Sequence, residues 1–173
     1  MTRLTCTLAL LMTLISCAPE PAPPKRTAHA LDSGFALAHD SYNGISAASD
    51  GRIYYVLSSE SVDTGAQVYS YDPPSDKVQH LGDLTAACGE KGRKAIVQGK
   101  SHVGFWESAG KLYFASHVGY YSIIDGMEKI GVPPPGYQPY PGGHFIAYDM
   151  ASKTFQDLAT APHGEGILAM AMD

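Results

Sequence analysis

Of the seven histidines in this 173-residue chain, His102, His117 and His144 are spaced so that strand pairing could place them in one row. If Ala109-Gly110 is a two-residue turn, Ser108 pairs with Lys111 and the ladder brings His102 opposite His117. If the strand starting at His144 returns beside the one ending at His117, those two also lie opposite each other. Directly opposed residues share a sheet face, with Cβ atoms roughly 5 Å apart. Imidazoles so placed can bind a divalent metal such as Mn, Zn or Fe. They can equally act as hydrogen-bonding groups for structure or ligand, and the residue types leave both readings open. Glu165 occupies the position equivalent to His102 in the unit that follows.

A second set of residues suits ligand binding. Tyr120, Tyr121, Tyr137 and Tyr140 lie in a Gly- and Pro-containing segment, 118–143. Tyrosine rings can stack on sugar faces and donate hydrogen bonds from their hydroxyls. Lys94 and Lys100, in the segment just before, would complement an anionic group on the ligand. Packing the long loop down is the competing role, expected for about half of these aromatics. Cys88, with no histidine adjacent in sequence, reads as an inert thiol.

The elements that must position these residues are short strands. Ser49-Asp50-Gly51-Arg52-Ile53-Tyr54-Tyr55-Val56 resembles Ser108-Ala109-Gly110-Lys111-Leu112-Tyr113-Phe114-Ala115. Gln67-Val68-Tyr69-Ser70-Tyr71-Asp72 likewise resembles His144-Phe145-Ile146-Ala147-Tyr148-Asp149, and both are followed by a polar turn. Each unit reads as four antiparallel strands: 43–49, 52–58, 67–72 and 77–81, then 102–108, 111–117, 144–149 and 154–158. Asp50-Gly51 is a hairpin signal of the type I′ kind. Stretches 53–57 and 112–115 are apolar without alternation, as for sheets buried on both faces. Repeated four-stranded units predict a β-propeller, with blade one at 43–81 and blade two at 102–158. A β-sandwich is the alternative. Residues 165–173 align with the start of blade one, so the expected domain at 37–173 is the N-terminal part of a longer propeller.

Residues 1–16 combine a basic start with an apolar run from Leu4 to Ile15, which makes a signal peptide. Leu14-Ile15-Ser16-Cys17 matches the lipobox of bacterial lipoproteins at each position. That resemblance implies lipidation of Cys17, a membrane-held product and a cell-envelope location. By resemblance to Gram-negative lipoproteins, Ala18 in place of Asp after the cysteine implies the outer membrane. The Pro-rich stretch that follows fits a tether over 17–36. With Cys6 removed and Cys17 lipidated, Cys88 is left without a disulfide partner among the three cysteines. Seventeen acids against 12 bases give a net charge of −5, which argues against nucleic acid as a partner. CxxC, HExxH, GxSxG and P-loop motifs are all absent from the sequence.

The unit pattern resembles propeller families built of Tyr-Asp and Asp-Gly repeats. Gly-Lys-Ser-His-Val, Tyr-Pro-Gly-Gly-His and Gly-Glu-Gly-Ile-Leu resemble segments of a group of bacterial envelope propellers whose activity is unassigned. Two functions follow as expectations. One is a lipoprotein whose propeller rim binds a glycan or a protein partner. The other is a metal-assisted lyase or hydrolase of acidic sugars, similar to oligogalacturonate lyases in blade pattern and histidine supply. The resemblance to those lyases implies a metal held by the histidine row, acidifying the sugar's α-proton, with Lys94, Lys100 or Tyr121 as base or charge partner.

Overall fold

The computed structural model describes residues 27–172, and the chain divides into two units, Met1–Ala30 and Leu31–Asp173. The expected signal peptide, Cys17 and the Pro-rich run after it lie outside the described residues. Residues 27–30, all that is described of the first unit, have no regular secondary structure.

The second unit is all-β. Its first sheet runs β1 (Ile45–Ala47), β2 (Ile53–Leu57), β3 (Gln67–Asp72) and β4 (Lys77–Asp83), antiparallel and paired in chain order. A one-turn helix, α1 (Leu84–Ala87), follows, started by the Asp83 side chain accepting from the Ala86 N–H at 2.8 Å. Next come β5 (Gln98–Lys100), β6 (Trp106–Ser108), β7 (Lys111–Ala115), β8 (His117–Val118), β9 (Tyr121–Ile124) and β10 (Met127–Ile130), then β11 (His144–Asp149) and β12 (Thr154–Thr160). The second four-stranded sheet is β6-β7-β11-β12, again paired in chain order. β5 with β8 and β9 with β10 make two small two-stranded sheets.

In the two large sheets most strand boundaries lie close to those read from the residues, and the turns explain why; the strand expected over 102–108 is confined to Trp106–Ser108, and β5, β8, β9 and β10 were not expected as separate strands. Ala109 and Gly110 both have positive φ, 49° and 76°, and Ser108 pairs with Lys111, so this is a two-residue primed turn. The Asp50-Gly51 hairpin departs from expectation. Its ladder ends at Ala47 opposite Ile53, the Gly51 N–H donates to the Ala48 carbonyl, and Gly51 is the residue of the loop with positive φ. Asp50 instead accepts from the Arg52 N–H at 3.0 Å and from the Tyr54 hydroxyl at 2.8 Å. Those bonds favour a longer loop in which glycine alone is left-handed.

One core joins the two large sheets. Tyr54, Val56 and Val68 of the first pack with Leu112, Phe114, Ile146 and Tyr148 of the second, and Leu84 and Phe105 fill the ends. Burying each large aliphatic or aromatic side chain here contributes about 1.5–3 kcal/mol. Expected burial on both faces is only partly met. β2 alternates between buried and half-buried positions, because Ile53, Tyr55 and Leu57 face away from that core. Segment 165–172, expected to begin a third unit, forms no strand. It lies against the second sheet, where buried Ile167 packs with Val103 and Ala115.

Candidate functional site

The first strand of each large sheet begins, and the second ends, at the same end of the molecule. Five polar or aromatic side chains meet there. β5 pairs with β8 so that Lys100 sits opposite His117. Gly44 comes so close to Ser101 that an added Cβ would lie 3.2 Å from that residue's Cβ and carbonyl oxygen. This approach brings Tyr42, left-handed at φ 41°, over Lys100.

Lys100 is 1% exposed. Its ammonium donates to the hydroxyls of Tyr42 at 3.0 Å and Tyr121 at 2.5 Å. It also lies 4.3 and 4.6 Å from the centroids of those two rings. Among the described residues no carboxylate is within ion-pair distance of it. Burial pushes the Lys100 ammonium towards deprotonation, but the two accepting hydroxyls outweigh this and its pKa is raised. The His102 ring lies between those of Tyr42, tilted to it at 4.6 Å, and His117, edge to face at 4.7 Å between centroids. Burial lowers the pKa of both histidines; His117 and Lys100 lower His102 further, while for His117 the bond to the Val118 carbonyl opposes the shift in part and Lys100 adds to it. At neutral pH the site therefore holds one buried cation and two uncharged imidazoles. His117 Nδ1 bonds the Val118 carbonyl at 2.9 Å, so its neutral form presents Nε2 as an acceptor.

The expected row of three histidines is not formed. His102 and His117 adjoin, but β7 and β11 pair with Ala115 opposite Phe145, one residue from the expected register. His144 therefore lies beside Ser116, whose hydroxyl accepts from the His144 N–H at 2.8 Å. A one-residue slip turns a side chain to the other face. Among the described residues no group of three or more His, Cys, Asp or Glu side chains is placed to hold a metal ion.

His144 instead closes a buried polar network. Its Nε2 reaches Glu90 at 3.2 Å and its Nδ1 reaches Asp157 at 2.9 Å. Burial alone would push the imidazole down, but bonds to Cys88, Glu90 and Asp157 hold it protonated, up to about 11. The buried Gln98 amide donates to Glu90 at 2.8 Å and to the Gly142 carbonyl at 2.9 Å. Its oxygen accepts from Ser116 and from Tyr140, both at 2.7 Å. Burial raises the Cys88 thiol, which disfavours the nucleophilic thiolate. No buried side-chain nitrogen or oxygen of the described residues lacks a partner, so this network is a closed staple between the 84–100 segment and the second sheet.

The remaining expected ligand residues separate. Tyr140 belongs to the staple, and Tyr120 packs beside Ile96, Val118 and Tyr140. Tyr137 donates to Asp63 at 3.2 Å, with the Lys94 ammonium 5.5 Å from its ring centroid. Glu165 is exposed and its backbone carbonyl accepts from the Gly143 N–H. Tyr42 was not among the expected residues. The signal for it was its place just before Asn43, the equivalent of His102 in the first four-strand unit.

A cleft of about 380 Å³ opens beside this cluster, with His117 in its wall. No known family model and no curated protein matches this chain.

Proposed function

We propose that this chain is a lipid-anchored cell-envelope protein whose two four-stranded sheets are consecutive blades of a β-propeller, and that its loop end binds an acidic glycan. The lipobox ending at Cys17 supports the anchor. The identical strand order of the two large sheets and their shared core support the blades. The observation that carries the ligand class is the Lys100 ammonium, buried beneath two tyrosine hydroxyls without a carboxylate partner.

A buried ion lacking an opposite charge costs several kcal/mol. Two charge-assisted hydrogen bonds return about 1.5–3 kcal/mol each, enough to hold the charge in place but not to neutralise it. A carboxylate or sulfate displacing half-exposed Tyr42 would supply the missing charge. The tyrosine and histidine rings then present faces on which a sugar ring can stack. A glycan is favoured over a protein partner because the charge is recessed, where one small anionic group reaches it and a protein surface does not. The metal-assisted alternative would rest on the His102–His117 pair alone.

The test is a carbohydrate array followed by titration calorimetry. Uronic-acid or sulfated oligosaccharides should bind, their neutral counterparts should not, and Lys100→Met should weaken binding at least about tenfold. Chelator should leave the affinity unchanged. Equal affinity in Lys100→Met, or equal binding of neutral glycans, refutes the reading.

A further inference from the structure

The cleft beside the cluster is lined by the apolar or aromatic Val118, Ile130, Pro139 and Tyr140 and by the imidazoles of His117 and His163. No Asp, Glu, Lys or Arg is among its lining residues. Its volume of about 380 Å³ lies within the ~300–1,000 Å³ typical of small-molecule pockets. Apolar walls with a few hydrogen-bonding groups and no charge suit an uncharged, hydroxyl-bearing ring.

Two independent connections join this cleft to Lys100. The first is His117. Its ring lies 4.7 Å from that of His102 in the lysine cluster and also forms part of the cleft wall. The second is the β9–β10 hairpin, where Tyr121 pairs directly with Ile130. Opposed residues share a face, so the face that bonds Lys100 through Tyr121 also supplies Ile130 to the cleft.

Another lining residue carries a conformational oddity. His163 adopts φ 58° and ψ 23° inside the 3₁₀ turn Pro162–Gly164. A left-handed histidine costs more than a glycine there, and such strain tends to persist at functional sites. Its ring has no hydrogen-bond partner among the described residues. Gly166 abuts the His117 ring so closely that a Cβ at that position would overlap its Nε2. A glycine there keeps His117 fixed between the two compartments.

We infer that the cleft between the β9–β10 hairpin and the 162–166 turn is a second subsite, taking the neutral sugar next to the acidic sugar held by Lys100. The ligand is then at least a disaccharide of one acidic and one uncharged residue. This rests on the acidic-glycan reading above.

The experiment is titration calorimetry on the full chain with three probes: glucuronate, an aldobiouronic acid (glucuronate linked to one neutral hexose), and a neutral hexose disaccharide. The parent should bind the aldobiouronic acid about tenfold more tightly than glucuronate. His163→Gly and Ile130→Ser, both at exposed positions, should remove most of that gain while glucuronate affinity stays unchanged and the melting temperature does not fall. Lys100→Met should abolish binding of both acids. Equal affinity for the two acids in the parent overturns the subsite, as do cleft variants that keep the whole gain or weaken both acids alike. Acids that bind Lys100→Met normally overturn the lysine reading, and with it a subsite defined by adjacency to that lysine. A parent that binds neither acid overturns both.

Discussion

His144→Leu should destabilise the protein far more than its small change in volume implies. The imidazolium sits between Glu90 and Asp157, and both it and Glu90 are about 95% buried. Removing it strands the Glu90 carboxylate, which keeps Gln98 at 2.8 Å and the exposed Arg93 at 3.6 Å. Breaking a buried pair from one side costs about 3–5 kcal/mol, and the surviving Gln98 bond places the expected loss near the lower end, at about 3 kcal/mol. Glu90→Gln in the same background removes the stranded charge and should restore about 1 kcal/mol or more. The pH dependence has a definite sign. Because the folded pKa is raised from 6.5 to about 11, the contribution is complete below pH 6.5 and is lost as pH rises towards 11. The slope across that window is at most about 1.4 kcal/mol per pH unit. Urea unfolding of parent, single variants and double variant at several pH values between 6 and 10 measures both effects. A loss below about 1 kcal/mol in His144→Leu, strictly additive variants, or the same alkaline slope with and without His144 would refute the network.

Three further outcomes are expected. Lys100→Met should change stability by no more than about 1.5 kcal/mol in urea unfolding, since replacing a buried ion by a matched apolar chain is often near neutral; a loss above 3 kcal/mol would make Lys100 a structural ion instead. Gly119→Ala should lower the melting temperature clearly, by an overpacking cost of about 1–3 kcal/mol, because the new Cβ would overlap the Ser59 carbonyl oxygen and lie 2.8 Å from the Gly99 Cα. Cys17→Ser should move the protein from the detergent to the aqueous phase in a cloud-point partition and abolish labelling by a radioactive fatty acid. Unchanged partition would refute the lipid anchor.

The strands were legible because their signals are local. Ala109-Gly110 and the Tyr-Asp strand ends depend on φ preferences and side-chain alternation within a few residues, and the ladders follow them. His102 and His117 do adjoin, but not through the Ser108–Lys111 ladder, which ends at Trp106 opposite Tyr113; His117 instead pairs with Lys100 in the β5–β8 sheet. Asp50-Gly51 misled because the Asp50 carboxylate finds Arg52 and Tyr54, a choice that a dipeptide does not reveal.

The histidine row failed for a different reason. Whether His144 lies opposite residue 116 or 117 depends on how a strand closes around the long 118–143 insertion, and no local signal sets that count. The energy that decides it comes from partners on other segments, Glu90 and Asp157, which satisfy the buried imidazole in the observed register. Lys100 likewise reads as one lysine of a polar loop. Its burial and its two tyrosine partners arise because Gly44, Gly99 and Gly119 let three separate segments approach to backbone contact. Residue order alone settles the strand pattern of the two large sheets and the acidic balance. Packing settles which polar groups are sealed inside and which remain free to meet a ligand, because burial and pairing are properties of neighbours in space.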